Sequence, residues 1–304
     1  MRKLLKIVFI VLIVAAIAEH FLDSTNDVSD FVLSEEDKQT SIVDEEKNQN
    51  KVYTVSSEDI FKSKKERFVA HRGFSDHAPE NSISAFERAG KAGFWGIETD
   101  IVESADGVFM CMHDDTLDRT TNGSGKLCEY TYGELMDYYI DFGNDVSDFE
   151  SLKIPTMIEF LNNCVIYDCV PVIEIKSIVD YKGFLETIKN SGLYNRSIIV
   201  GGIEDLKEIR KLDKNILVML VAYATLDYSA YEPLLGDLEE NSGILLNAPL
   251  ITTEVAQSLH SRGYKIGAWT LDNPEDARKY IDLGADFVVT NNIPGLKHMI
   301  NEKE

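Results

Sequence analysis

Beyond residue 60 the apolar positions fall into two alternating rhythms. Short runs rich in Val and Ile read "RFVAHRG", "GIETDI", "PVIEIK", "SIIVGG", "LVMLVAY", "GILLNAP", "KIGAWTL" and "ADFVVTN". Such runs suit strands buried on both faces. Helical patterns follow them: "NSISAFERAGKAG", "IPTMIEFLNNC", "YKGFLETIKNSG", "IEDLKEIRKLDK", "YSAYEPLLGDLEE", "TTEVAQSLHSRG", "NPEDARKYIDLG" and "IPGLKHMINEK". Asn81 and Thr252 or Thr253 stand where N-caps belong, and Gly192, Gly263 and Gly284 where helices should end. Eight strand–helix units predict an α/β protein with a (β/α)8 barrel, which takes about 250 residues. A doubly wound sheet usually has fewer strands, and no GxGxxG follows the first one.

One stretch breaks the rhythm. "ETDIVESADGVFMCMHDDT" has strand-like residues on both sides of Asp106-Gly107, a hairpin signal. The second barrel strand would rise above the rim, turn, and bring His113 and Asp114 back to it. Thr116 to Lys153 then leaves room for a hairpin and one or two helices, beginning near "TYGELMDYY".

The N-terminus follows neither rhythm. "MRKLLK" precedes a twelve-residue apolar run, "IVFIVLIVAAIA". That pattern reads as an export signal over residues 1–22. The run is short for a spanning helix of about 20 residues, but Phe21 and Leu22 extend it, so a cleaved leader and a retained membrane anchor both remain open. Either places the body outside the cytoplasm. From Glu19 to Asp59 there are twelve acidic and three basic residues, which predicts an acidic linker over 23–60 and a folded domain over 61–304.

Net charge is −22, from 52 acidic and 30 basic residues. A field of that sign repels phosphate backbones and argues against nucleic acid as a partner. Four cysteines show neither CxxC nor zinc spacing and read as small buried hydrophobes.

Polar residues then stand out at the strand ends. Glu98 and Asp100, two apart on one strand, share a face, and Glu174 and Lys176 repeat this on another. Charges facing inward are costly without a partner. Three carboxylates suit an oxygen-seeking divalent cation such as Mg²⁺ or Ca²⁺. Arg72 and Lys176 suit an anion such as phosphate, and His71 and His113 can each serve as acid or base near neutrality. Together they point to phosphoryl transfer or phosphodiester cleavage. His77, His260 and His298 read as surface or structural residues.

These residues lie within segments that resemble the glycerophosphodiester phosphodiesterase family: "AHRG", five residues, "PENS", "GIETD", "DGVFMCMHDDTLDRTTNGSG", "IPTMIEFL", "EIK", "AWTLD" and "GADFVVTN". The resemblance spans roughly residues 66–300. It implies a TIM barrel, with Glu98, Asp100 and Glu174 as ligands of one divalent cation, Mg²⁺ or Ca²⁺. His71 and His113 would be the general acid–base pair. Arg72 and Lys176 would hold phosphate oxygens, Glu80 would support the site, and Trp269 would pack beside the glycerol or headgroup pocket. Asn81 could be no more than a helix cap. The implied reaction is hydrolysis of a glycerophosphodiester, or of a glycerol-phosphate polymer, to glycerol 3-phosphate and an alcohol. Rival readings are a phospholipase D-like or cyclising phosphodiesterase on intact lipid, and an inactive barrel that binds surfaces. Two departures stand out. Ser82 replaces the more usual Thr, and aligning Pro294 puts Asn292 where the family commonly has Asp.

Overall fold

The computed structural model describes residues 60–62, 66–222 and 228–291. The leader, most of the acidic linker, the eighth predicted helix at 293–303, His298 and Asn292 lie outside the described residues. Within them, no helix is long and apolar enough to cross a membrane.

Nine strands form one sheet: β1 (Phe68–Ala70), β2 (Gly96–Glu103), β3 (Phe109–Cys111), β4 (Val170–Ser177), β5 (Ile198–Gly201), β6 (Leu217–Ala222), β7 (Ser242–Asn247), β8 (Lys265–Trp269) and β9 (Phe287–Thr290). All the predicted strand runs are present. Eight strands are parallel, and β1 pairs with both β9 and β2, at Val69↔Val289 and Val69↔Gly96, so the barrel closes. β3 runs antiparallel on β2 as the return arm of the predicted hairpin, with Ile101 opposite Cys111.

The helices are α1 (Ile83–Ala92), α2 (Tyr132–Leu135), α3 (Met157–Tyr167), α4 (Tyr181–Asn190), α5 (Ile203–Leu212), α6 (Glu232–Asp237), α7 (Thr253–Ser261) and α8 (Pro274–Leu283). Gly192 and Gly263 follow α4 and α7 at φ 76° and 84°, and Gly284 closes α8 at φ 116°. Thr252 caps α7. Asn81 does not cap α1. Ser82 does, its Oγ accepting from Ala85 N.

The period-two alternation of the strands separates two cores. Val69, Val172, Val200, Met219, Leu245 and Phe287 fill the barrel interior together with Trp95 and Ile60. Phe68, Ile97, Ile173 and Ile199 face the helices instead. Burying such a side chain stabilises by about 1.5–3 kcal/mol, so the packed lower barrel is a rigid base for the polar residues above it. Gly90 permits a close approach of α1 to α3, since a Cβ there would lie 2.2 Å from the Tyr167 ring.

The segment after the hairpin is a small insertion with a short helix near "TYGELMDYY", as its sequence predicts. It holds only the one-turn α2, two 3-10 turns and isolated bridges such as Thr121↔Ile140. A Thr131–Glu134 capping box starts α2. The helix stops where Tyr138 stacks edge-on against Tyr130 and Ile140 turns to its bridge. Met110, Met112, Leu117, Leu127, Leu135 and Ile154 give this segment its own small core. Cys111, Cys164 and Cys169 are buried as expected, whereas Cys128 is exposed on a 3-10 turn.

Candidate active site

β1 ends at Ala70, and the next residues reverse the chain sharply. Arg72 and Gly73 have φ of 57° and 78°. Left-handed backbone is costly for Arg and free for Gly. At Gly73 a side chain is also excluded sterically, because a Cβ would lie 2.6 Å from Ala85 Cβ. The turn aims Arg72 N at Glu98 Oε2, 2.7 Å away, while Arg72 O accepts from Asn81 N at 2.9 Å. The guanidinium reaches Glu80 Oε1 at 2.8 Å, and its Nε lies 3.3 Å from Asp100 Oδ2.

Strand register brings the three carboxylates together. Asp100 on β2 is paired with Glu174 on β4, and Glu98 shares Asp100's inward face. Their nearest oxygens all lie within 4.8 Å of one another. Glu98 is 2% exposed and Asp100 1% exposed. Glu98 Oε1 accepts no hydrogen bond among the described residues, and Asp100 Oδ1 has the Lys176 ammonium at 3.2 Å. Burial first, then the charges of Asp100 and Glu174, push the Glu98 carboxyl well above the ordinary carboxylate range; burial likewise raises Glu174. Clustered carboxylates with an orphaned buried oxygen on Glu98 fit a divalent cation, which would satisfy that oxygen and displace the protons.

Lys176 lies one pleat beyond Glu174. Its Nζ is 2.5 Å from Glu174 Oε1 and 3.2 Å from Asp100 Oδ1. Burial works against its charge, but Asp100 and Glu174 outweigh burial and hold the ammonium firmly protonated.

The hairpin delivers the second histidine. Met112 N donates to Asp100 O at 3.0 Å, which sets His113 at the rim beside the carboxylates. His113 Nδ1 is 2.6 Å from Asp114 Oδ1. The His71 ring makes a different bond, from Nδ1 to Asn291 Oδ1 at 2.7 Å. Burial, then the Arg72 charge, lowers the His71 pKa, favouring the neutral ring.

Seven of the nine expected residues, His71, Arg72, Glu98, His113, Glu174, Lys176 and Trp269, line one cavity of about 110 Å³. Val221, Leu245 and Val289 supply its apolar wall. Asp100 and Glu80 stand behind the lining and contact it through Lys176 and Arg72.

Four further residues shape the site. Asn81, placed by its sequence position as a cap, is buried at φ 52° with its Nδ2 2.9 Å from Asp100 Oδ2. Arg119 bonds Asp114 through Nε at 2.5 Å and Glu80 through both terminal nitrogens, at 2.9 and 2.7 Å. It lies inside the segment "TLDRTT", where nothing local marks it. Asn291, directly after β9, reaches His71 with its side chain, and Asp272 holds that amide at 2.9 Å.

Comparison with known proteins agrees with this geometry. The model of the Glycerophosphoryl diester phosphodiesterase family matches residues 71–294. A glycerophosphodiester phosphodiesterase of Caldanaerobacter subterraneus subsp. tengcongensis is 32% identical over 242 residues, 77% of this chain and 97% of that one. An Oleispira antarctica phosphodiesterase, solved in complex with the product sn-glycerol-3-phosphate, superposes with TM-score 0.67 at 24% identity, over 80% of this chain and 99% of that one. A glycerophosphodiester phosphodiesterase from Agrobacterium tumefaciens gives TM-score 0.67 at 23% identity, over 75% and 96% of the two chains. The structural likenesses carry the barrel, and the family match carries the rest: this chain belongs to the glycerophosphoryl diester phosphodiesterase family.

Proposed function

We propose that this protein hydrolyses glycerophosphodiesters to glycerol 3-phosphate and an alcohol, outside the cytoplasm, with two histidines as the acid–base pair. The observation that carries this reading is the meeting of His71, His113, Arg72, Lys176 and the carboxylate trio around one cavity. Glu98, Asp100 and Glu174 would hold Mg²⁺ or Ca²⁺, which supplies positive charge for the phosphate and acidity for a glycerol hydroxyl.

The chain's own groups supply the proton transfers and the anion site. Arg72 and Lys176 face the cavity as fixed cations and suit the non-bridging phosphate oxygens. The two rings differ in their partners. His71 donates from Nδ1 to an amide oxygen and is held neutral, so its Nε2 lone pair suits a general base. His113 Nδ1 is held by the Asp114 carboxylate, which orients this ring at the cavity's other side and suits it to the general-acid role. His71 would take the proton of the glycerol hydroxyl beside the phosphodiester. That oxygen bonds to phosphorus, the bond to the alcohol breaks, and the proton of His113 passes to the leaving oxygen. Water then opens the cyclic phosphate with the two roles reversed. The apolar wall of Val221, Leu245 and Val289 suits the carbon side of the glycerol.

Support for an extracytoplasmic location is the basic start and apolar run of residues 1–18. The test is release of glycerol 3-phosphate by the purified full-length chain from glycerophosphocholine, glycerophosphoethanolamine and a polyglycerol phosphate. Each is run with Mg²⁺ or Ca²⁺ and then with chelator. Cation-dependent release is expected. No release under any cation would overturn the proposal in favour of intact lipid as substrate or an inactive barrel.

A further inference from the structure

Asn291 and Asp272 line a neighbouring cavity with Ser75 and Glu80, not the one that His71 lines, and neither belongs to the acid–base pair or the carboxylate trio. Their hydrogen bonds nevertheless determine where the proton on His71 resides. Asp272 Oδ1 accepts from Asn291 N at 2.7 Å and from Thr290 Oγ1 at 3.0 Å. Its Oδ2 faces Asn291 Nδ2 at 2.9 Å. An ionised carboxylate can only accept, so the side of the Asn291 amide facing it must be NH₂. The amide oxygen is thereby turned toward His71 Nδ1, at 2.7 Å, with Ser75 Oγ as a second donor at 3.4 Å. An amide oxygen also only accepts. His71 must therefore carry its proton on Nδ1, leaving the Nε2 lone pair for the cavity that this ring lines.

From this chain of obligate donors and acceptors, we infer that Asp272 is a positioning residue that acts through Asn291 to hold His71 in its Nδ1–H tautomer. The inference rests on the acid–base reading of His71 given above. In a serine-protease triad, holding the catalytic histidine in the wrong tautomer costs about 10⁴ in kcat. Here the device has two steps, a carboxylate that orients an amide and an amide that orients the ring. Arg72, Asp100 and Glu80 are the charged groups that also act on His71. None of them bonds its Nδ1, so none substitutes for the amide.

Asp272 also ties the end of β9 through Thr290 and the Asn291 backbone, so its removal could simply loosen that strand. Asp272→Asn avoids this, because its Oδ1 still accepts both bonds while its NH₂ replaces Oδ2. The new NH₂ faces the Asn291 NH₂ and forces the Asn291 amide to flip. His71 Nδ1 then meets a donor, and its proton must move to Nε2. The test uses the full-length chain with ¹⁵N-labelled histidine, reading the ring shifts of His71 (assigned from the His71→Ala spectrum) together with kcat, KM and thermal stability. The wild type is expected to show Nδ1–H. Asp272→Asn should show Nε2–H and a kcat at least roughly tenfold lower, at unchanged KM and melting temperature. In an Asn291→Ala background the same substitution should change neither tautomer nor kcat. An unchanged tautomer in Asp272→Asn, or an effect that persists without Asn291, overturns the inference. The His71→Ala variant separates the two readings: retained turnover there refutes the acid–base role of His71, while the ring shifts still decide whether Asp272 orients that ring.

Discussion

Asn81 Nδ2 donates to Asp100 Oδ2 at 2.9 Å, and Asn81 Oδ1 accepts from Thr99 Oγ1 at 2.8 Å. With Arg72 Nε near the same carboxylate oxygen, this arrangement leaves Asp100 Oδ1 turned toward Lys176 and the other carboxylates. Residues that orient metal ligands typically change affinity by about 10–100-fold when lost. Asn81→Ala is therefore expected to raise the half-saturating cation concentration by about that factor, with kcat at saturating cation largely preserved. Activity titrated against free Mg²⁺ or Ca²⁺ checks this; an unaltered half-point would make Asn81 merely structural.

Cation binding should also register as stability. Glu98 is pushed above its ordinary range by burial and by Asp100 and Glu174. Between the unfolded value of about 4.3 and that raised value, the folded cation-free chain keeps a proton that the unfolded chain has lost. Stability from this group is thus present at low pH and declines as pH rises through the folded pKa. The cation replaces the proton and removes the decline. At about a hundredfold excess over Kd the cation should raise the melting temperature by roughly 5–10 °C, and by more at about pH 8 than at about pH 5. A shift that shrank as pH rose would contradict the carboxylate assignment.

Legibility in the amino-acid sequence follows the range of each signal. The barrel strands are legible because period-two alternation and Val/Ile runs are local. The same period puts Glu98 and Asp100 on one face, and the Asp106-Gly107 turn points to His113's return to the rim. Residues defined by distant partners are not legible. Arg119 meets Glu80 from 39 positions away, and His71 meets Asn291 from 220 away. Asn81 misleads because an Asn just before a helix usually caps it. Ser82 takes the cap, and the left-handed backbone at Asn81 turns its amide inward. The short helix of the segment after the hairpin is legible too, since the local capping box of Thr131 and Glu134 starts it.

Trp269 Nε1 is buried in the cavity wall and has no hydrogen-bond partner among the described residues. An orphaned buried donor costs about 1–3 kcal/mol, which a bound substrate oxygen could recover. Trp269→Phe keeps most of the ring and removes the donor. The expected result is a KM higher by roughly 5–20-fold, with kcat and melting temperature near wild type. Steady-state kinetics on glycerophosphoethanolamine decide it; an unchanged KM would assign the indole to packing alone.

Arg119 links the two halves of the site, with Asp114 and His113 on one side and Glu80 and Arg72 on the other. Its bond to Asp114, helped by His113, holds that carboxyl at about 2 against the effect of burial. Burial also opposes ionisation at Glu80, but Arg119 and Arg72 outweigh it and hold Glu80 at about 2. Folded carboxyls held this low add stability above their unfolded values of about 4, and lose it as pH falls toward 2. Arg119→Ala should therefore flatten the loss of melting temperature between about pH 4 and pH 2. Arg119 is 38% exposed, so solvent screening keeps the stability change at neutral pH small. The catalytic effect should be larger, because the side chains of His113 and Arg72 both lose an orienting partner. A fall in kcat/KM of about 10–100-fold is expected, mostly in kcat, with partial recovery on adding free guanidinium and little rescue by Lys, which cannot grip two carboxylates in one plane. If Arg119→Lys matched the wild type, charge alone would suffice and the guanidinium geometry would have no role in orienting the site.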